Sequence, residues 1–482
     1  MERKNMFFIV WLVVVFSSVV LIIYLLTSPV KEEESLDSAT PAPTVLITAS
    51  PSVDFSSEIP RTAQDSLNPN IEYTQILGGN GSDVLSGVIT LDTYYLFGTT
   101  SSTSDDFSSG GDSDIFLAKI GMSGELLGTY TLQSDGDDVV IDAKPYSKLS
   151  ESSKAGIAIV SQTEGETDQI NITKISSDLA SEYQTTIKFD GEVTVVSTIY
   201  SSDNLILHVN VEDGQTMFSE ILKISYDLQE IQRIEITLTT QFKIVTGYSM
   251  GNTEILLINL FEDTQTSIGI LEVDTQTQEK VLTRFSGDQT AVTMTPKSSG
   301  GFLIEYTYLD NSANKYGVMA VSSTYAIEFT HVVSGSDFLS VSVIEYYQNS
   351  NSTGYYIFAT KKQNGVYETF SEYICTHGDL IYVDTSFLSD MLPKNFHISD
   401  SGMAVIGEVI TESQTDIAMV SATTNGEVLR SETYGGTGED AYVFSIINRY
   451  GNLDVFSSTL SSGGDIPYSF GKADIFMFEI IS

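Results

Sequence analysis

Hydrophobic and polar positions follow two different rhythms along this chain. Met6–Leu26 is an apolar run without a single charge. At about 1.5 Å per residue it reaches roughly 30 Å as a helix, the thickness of a bilayer's hydrocarbon layer. It predicts one transmembrane helix over residues 6–27. From Ile71 to the C-terminus the rhythm changes to short apolar stretches separated by turn residues, with no sustained helical period. That pattern predicts an all-β region.

The recurring marker of this region is an apolar strand, mostly followed by a tight turn and another strand. It begins at Ile115, Ile170, Glu220, Ile268, Val318, Glu372, Ile417 and Ile475. Units of about fifty residues match four-stranded propeller blades, so the prediction is a closed β-propeller of eight blades. Degenerate middle units leave seven as the alternative count. In the stretch Asp114–Ile120, Ile115 and Leu117 point one way while Phe116, Ala118 and Ile120 point the other. A strand apolar on both faces needs cover on both sides, which blades stacked around a ring supply and a single sandwich does not.

One unit is written out clearly twice. Gly78-Gly79-Asn80-Gly81-Ser82-Asp83 opens the first copy, and Gly435-Gly436-Thr437-Gly438-Glu439-Asp440 opens the last. Each leads through an Asp/Gly-rich loop to an Asp-Ile-Phe strand, at Asp114 and at Asp474. The last unit stops before a fourth strand, and Ile71–Leu77 has the character of the missing piece. The prediction is that residues 71–77 join the C-terminal sheet and remove its open edge. On these residues the chain resembles the bacterial extracellular propeller repeats that open with Tyr-Gly-Gly-x-Gly-x-Asp, the SBBP-like group. The match is good over 78–132 and 434–482, partial over 387–433, and rests on length and rhythm elsewhere. The resemblance implies a fold and a surface location but no single activity.

The flanks of the apolar run set an orientation. Arg3 and Lys4 precede it and Glu32, Glu33 and Glu34 follow, so residues 1–5 are expected in the cytoplasm and the rest outside. A cleaved signal peptide would have a shorter apolar core and a small-residue cleavage site, so an uncleaved anchor is expected. Residues 28–70 hold Pro41, Pro43, Pro51, Pro60 and Pro69 among Ser, Thr and acidic residues, which predicts an extended, disordered tether. Residues 71–482 then form the ectodomain. Asp and Glu number 64 against 23 Lys and Arg, a formal net charge of −41. Such a surface repels phosphates and excludes nucleic acid as a partner. Cys375 is the only cysteine, so there is no internal disulfide and no cysteine-based zinc cluster.

Candidate chemistry is sparse. The loop 105–114 is the densest flexible carboxylate cluster, and Asp105, Asp106, Asp112 and Asp114 could offer oxygens to calcium. Solvated acidic turns are the plainer reading, since the spacing is not that of an EF-hand. Asp83 and Asp440 recur ahead of a first strand, as do Asp138 and Asp337. Asp416 and Asp474 recur ahead of a third, as do Asp114 and Asp168. Recurrence argues for turn devices that accept backbone N–H bonds, together with Gly78, Gly79, Gly81, Gly435, Gly436 and Gly438. His208, His331, His377 and His397 fall in different units without ligand spacing. No hydrolase elbow, phosphate loop or zincin motif occurs, so no catalytic residue is assigned. The expected function is a membrane-anchored, surface propeller that binds or scaffolds an envelope protein, a glycan or a cationic ligand. The alternative is an extracellular lyase or hydrolase acting on glycans through carboxylates in the axial channel.

Overall fold

A computed structural model describes residues 71–481, except those at 111, 135, 149–150, 164, 202–203, 215, 263, 349–350, 364–365, 385–387, 389–390, 400–401, 412–413, 424–426 and 467. The expected helix over 6–27 and tether over 28–70 lie outside the described residues. Thirty-two strands form eight antiparallel sheets of four, and no described residue is helical. Seven sheets take their strands in chain order. They span 83–132 (blade 1), 138–188 (blade 2), 192–236 (blade 3), 241–284 (blade 4), 290–332 (blade 5), 340–384 (blade 6) and 392–434 (blade 7). Blade 8 combines three strands of 440–480 with Ile71–Leu77, which pairs antiparallel with Asp474–Ile480.

The closed ring is visible in the packing. Eight apolar clusters are present, and each lies at one junction between consecutive blades, including the junction of blade 8 with blade 1. The period of two along a strand explains how one sheet serves two junctions. Phe476 and Phe478 point into the 7–8 cluster, while Ile475 and Met477 point into the 8–1 cluster. Phe116, Ala118 and Ile120 likewise face blade 8, and Ile115 and Leu117 face blade 2. Ile76 and Leu77 of the closing strand divide in the same way, one to each side, at 1% and 0% exposure.

Seven of the eight innermost strands carry a β-bulge a few residues from their start. A bulge leaves a backbone group out of its own ladder, and at four junctions a polar side chain of the preceding blade takes it up. Asn210 Oδ1 accepts Ile244 N–H at 2.9 Å and its Nδ2 donates to Ile244 O at 2.8 Å. Asn259 grips Ala291 in the same two-handed way. Glu408 accepts Tyr442 N–H at 3.0 Å, and Ser458 Oγ accepts Leu85 N–H at 2.9 Å. All four residues sit in second strands, and all four bind the residue just before the bulge. Blade 6 has no such bulge near its start. Its junction with blade 5 is tied by His331–Glu372 at 2.6 Å and Ser298–Glu345 at 2.7 Å instead.

Because strand direction alternates, the loops of each blade fall on two faces. The turns joining first to second and third to fourth strands lie on one, the hairpin face. The loops joining second to third strands, and the links from blade to blade, lie on the other, the connector face.

Candidate functional site

The connector face is uneven around the ring. In blades 3 to 5 the second and third strands are joined by tight hairpins, as at 213–216 and 310–313. In blades 1 and 8 the same connections run from 101 to 113 and from 460 to 473. Both long loops are packed down by their own side chains: Phe107 and Ser109 in one, Ile466 and Ser469 in the other, are buried. The two loops flank the link 78–82. Lys472 N–H donates to Gly81 O at 2.8 Å, and Asp106 N–H to Gly78 O at 3.1 Å.

Each loop is anchored by the same acidic corner. Asp83 accepts Gly79 N–H at 2.8 Å, Ser102 Oγ at 2.8 Å and Thr100 Oγ1 at 2.5 Å. Asp440 accepts Gly436 N–H at 2.9 Å, Ser461 Oγ at 3.0 Å and Thr459 Oγ1 at 2.5 Å. A second carboxylate closes each corner from the preceding blade's third strand. A Cβ on Gly78 would collide with Asp474 Oδ1 and crowd Asp83 Oδ2 at 3.1 Å. One on Gly435 would collide with Asp440 Oδ2 and lie 2.8 Å from Asp416 Oδ1. Only glycine allows two carboxylates to flank the same backbone atom there. Burial pushes Asp83 up to about 6 and Asp440 up to about 7, against the pull of their donors.

The loop carboxylates suggested for calcium are spread among separate partners. Asp106 Oδ2 accepts Gly78 N–H at 3.2 Å, and Asp114 accepts Gly110 N–H at 2.6 Å and Ser134 N–H at 2.9 Å. Asp105 accepts the neighbouring Ser104 hydroxyl, and Asp112 is exposed. Among the described residues, no group of three or more His, Cys, Asp or Glu side chains is arranged to hold a metal ion. Asp474 accepts Phe470 N–H at 2.8 Å, and Asp416 accepts Gln414 Nε2 at 2.7 Å. The histidines stay apart. His397 is driven down to about 4 by burial, and His377 is exposed in a turn.

One constellation was invisible in the sequence. Ser197 Oγ lies 2.6 Å from His208 Nδ1, and His208 Nε2 lies 3.1 Å from Glu254 Oε2. Serine, imidazole and carboxylate in a row are the parts of a nucleophile relay. Here the imidazole is 0% exposed and the backbone of Gly247 is pressed so close that any Cβ at that position would collide with the ring. A substrate has no approach to the imidazole, and the row serves as a polar tie between blades 3 and 4.

A polar cleft of the connector face lies beside the long loop of blade 1. Of about 320 Å³, it runs from the blade 1–2 link into blade 2, lined by residues including Ser134, Asp138, Thr163, Asn171, Gln184 and Thr186. Hydroxyl and amide groups dominate its wall, each able to donate and accept. Gln133 Nε2 donates to Ser108 O at 2.7 Å, and Asp138 N–H donates to Ser113 O at 2.7 Å, so loop and cleft form one continuous surface. Burial raises Asp138 above the ordinary carboxylate range. No sequence signal marked this cleft, because its residues come from five strands and a link.

No family model matches the chain, and no curated protein matches it. Solved structures do resemble it at low identity. A structure from a study of two prolyl endopeptidases is 11% identical with a TM-score of 0.45, covering 78% of this chain and 54% of that one. A puromycin hydrolase is 9% identical with a TM-score of 0.42, covering 83% and 61%. The WD40 domain of SCAP from fission yeast is 8% identical with a TM-score of 0.44, covering 88% and 99%. The chain thus spans less than two thirds of the two hydrolases' length, and no functional argument rests on likenesses this distant.

Proposed function

We propose that the chain is a binding module of the cell surface, held to the membrane by residues 6–27 and raised from it by the tether 28–70. Its ligand is a neutral, hydroxyl-rich molecule, a glycan of the envelope. The single observation that carries this reading is the hydroxyl- and amide-lined cleft of about 320 Å³ beside the long loop of blade 1. A sugar's hydroxyls donate and accept in turn, which suits Ser, Thr, Asn and Gln side chains, whereas a phosphate would meet the field of an acidic protein. The surface location follows the extracellular repeats that residues 78–132 and 434–482 resemble. The enzymatic alternative has less support, since the repeated Asp residues are engaged with backbone N–H groups and hydroxyls.

The test is retention of envelope polysaccharide and neutral oligosaccharides by the full chain in detergent. Thr163→Val combined with Gln184→Leu is expected to weaken retention at least tenfold while leaving the melting temperature within a few degrees. If the intact chain retains no saccharide, the reading is wrong. Release of shortened saccharide would instead favour the enzyme.

A further inference from the structure

A second cavity lies on the opposite, hairpin face, at the seam where the last blade meets the first. Its volume is about 370 Å³, at the small end of ligand-site sizes. Its walls come from three turns: Asp92 and Tyr94 from blade 1's first hairpin, Met122 from its second, and Ile446, Asn448 and Arg449 from blade 8. The chemistry is graded from floor to lip. Tyr94 is 1% exposed and its hydroxyl donates to Asp454, itself 0% exposed. Asn448 Nδ2 donates to Asp454 Oδ1 at 3.1 Å and to Glu479 Oε1 at 2.8 Å. Asp454 and Glu479 face each other across neighbouring strands. Two buried carboxylates, which do not themselves line the cavity, therefore hold Tyr94 and Asn448 of its wall in place. Met122 and Ile446 give the walls an apolar surface. Asp92 and Arg449, one from each blade, are both exposed and line the cavity, the Arg449 guanidinium stacked 4.8 Å from the Tyr450 ring and donating to its hydroxyl at 2.7 Å, so groups of opposite charge border the two lips.

We propose that this seam cavity binds a small zwitterion with an apolar side chain, a free aliphatic amino acid or a short apolar peptide. The ammonium group sits toward Asp92, the carboxylate toward Arg449, and the side chain along Met122 and Ile446. A purely anionic ligand would face the field of a −41 chain. A purely cationic one would face the Arg449 guanidinium. Only a molecule carrying both charges satisfies both lips. Since the lips belong to the first and last blades, a bound zwitterion also bridges the junction that closes the ring, and occupancy stabilises closure by mass action.

The experiment uses the full chain in detergent, with L-leucine and leucyl-leucine as probes, read by calorimetry and by thermal unfolding. Both probes are expected to bind and to raise the melting temperature as concentration increases. N-acetyl-leucine, which lacks the ammonium, and leucinamide, which lacks the carboxylate, are expected to bind at least tenfold more weakly. Arg449→Ala should weaken leucine at least tenfold but leave leucinamide nearly unchanged, and Asp92→Asn should do the converse for N-acetyl-leucine. Both side chains are exposed, so the variants test the site without disturbing the core. Absence of heat and of any thermal shift with both probes, or binding indifferent to both substitutions, overturns the proposal. Saccharide retention at the connector face is measured in the same preparations, so loss of one site does not mimic loss of the other.

Discussion

Blades 1 and 8 and the blades opposite them build the same four-stranded sheet by different local means. At the ends, the second and third strands are joined by long loops that pack on Gly78 and Gly435 of the preceding link and are pinned by Asp83 and Asp440. In blades 3 to 5 those joints are short hairpins, and side chains such as Asn210 and Asn259 hold one sheet to the next. Turns on the hairpin face differ as well. Blade 1 places Gly124 at positive φ, whereas blades 2 to 5 place Leu179, Leu228, Gln278 and Tyr325 there. A corner in which a backbone atom touches two carboxylates tolerates nothing but glycine, so its sequence is constrained. A latch needs only a hydrogen-bonding group of suitable reach, and Asn, Glu and Ser all provide one. The end blades are therefore recognisable as copies and the middle ones are not, although the fold treats them alike.

The comparison can be broken most forcefully at the closing strand. Leu77→Asp puts a carboxylate at a fully buried position in the 8–1 cluster. The expected loss is about 3–5 kcal/mol, read as a large drop in the urea midpoint. A loss below about 1 kcal/mol would mean that the ring does not depend on its seam. Next in size is a middle latch. Asn259→Leu removes both bonds to Ala291 and leaves a buried N–H and C=O without their partner. That should cost about 2–4 kcal/mol by the same measurement, and Ser458→Ala, with one bond, about half as much. Equal effects from the two would show that the latches are not counted by their hydrogen bonds.

A third test is the pH dependence that the end corners contribute. Burial lifts Asp440 from an ordinary 3.8 to about 7 and Asp83 to about 6, so the native state holds protons that the unfolded chain releases. Their contribution is fully present below pH 3.8 and is lost as pH rises through about 6 to 7. Asp440→Asn should flatten the fall in stability between about pH 4 and 7, measured by denaturant titration at each pH. An unchanged slope would remove Asp440 from the account.

Parts of this architecture were legible in the chain and parts were not. The count of eight came from apolar third strands recurring at a steady interval, and the two-sided burial of Asp114–Ile120 followed from its lack of alternation. The latches were missed: Glu408 is a lone polar residue in an apolar second strand, but Asn210 shares its strand with His208 and Ser458 stands between Ser457 and Thr459. That signal is weak because a half-buried strand also places a polar residue at intervals. Lys174 was missed for a related reason. Its ammonium is fully buried against the rings of Tyr146, Tyr200 and Tyr226, at 4.9, 5.0 and 4.4 Å, and those rings come from two blades. The hydroxyl-lined cleft and the seam cavity were out of reach altogether, since the first is assembled chiefly from separate strands of one blade and the second from segments at opposite ends of the chain.

What the sequence alone determined, beyond the pairing of residues 71–77 with the last sheet, was local: where strands start and stop, which of them are apolar on both faces, and where glycine is indispensable. Each of these depends on residues within a few positions of one another. What only the tertiary structure decided was which polar groups meet. Ser197, His208 and Glu254 come together because neighbouring sheets lie face to face, and Asp92 and Arg449 line one cavity because the first blade lands beside the last. Such encounters are set by the closure of the ring, and no spacing along the chain encodes them.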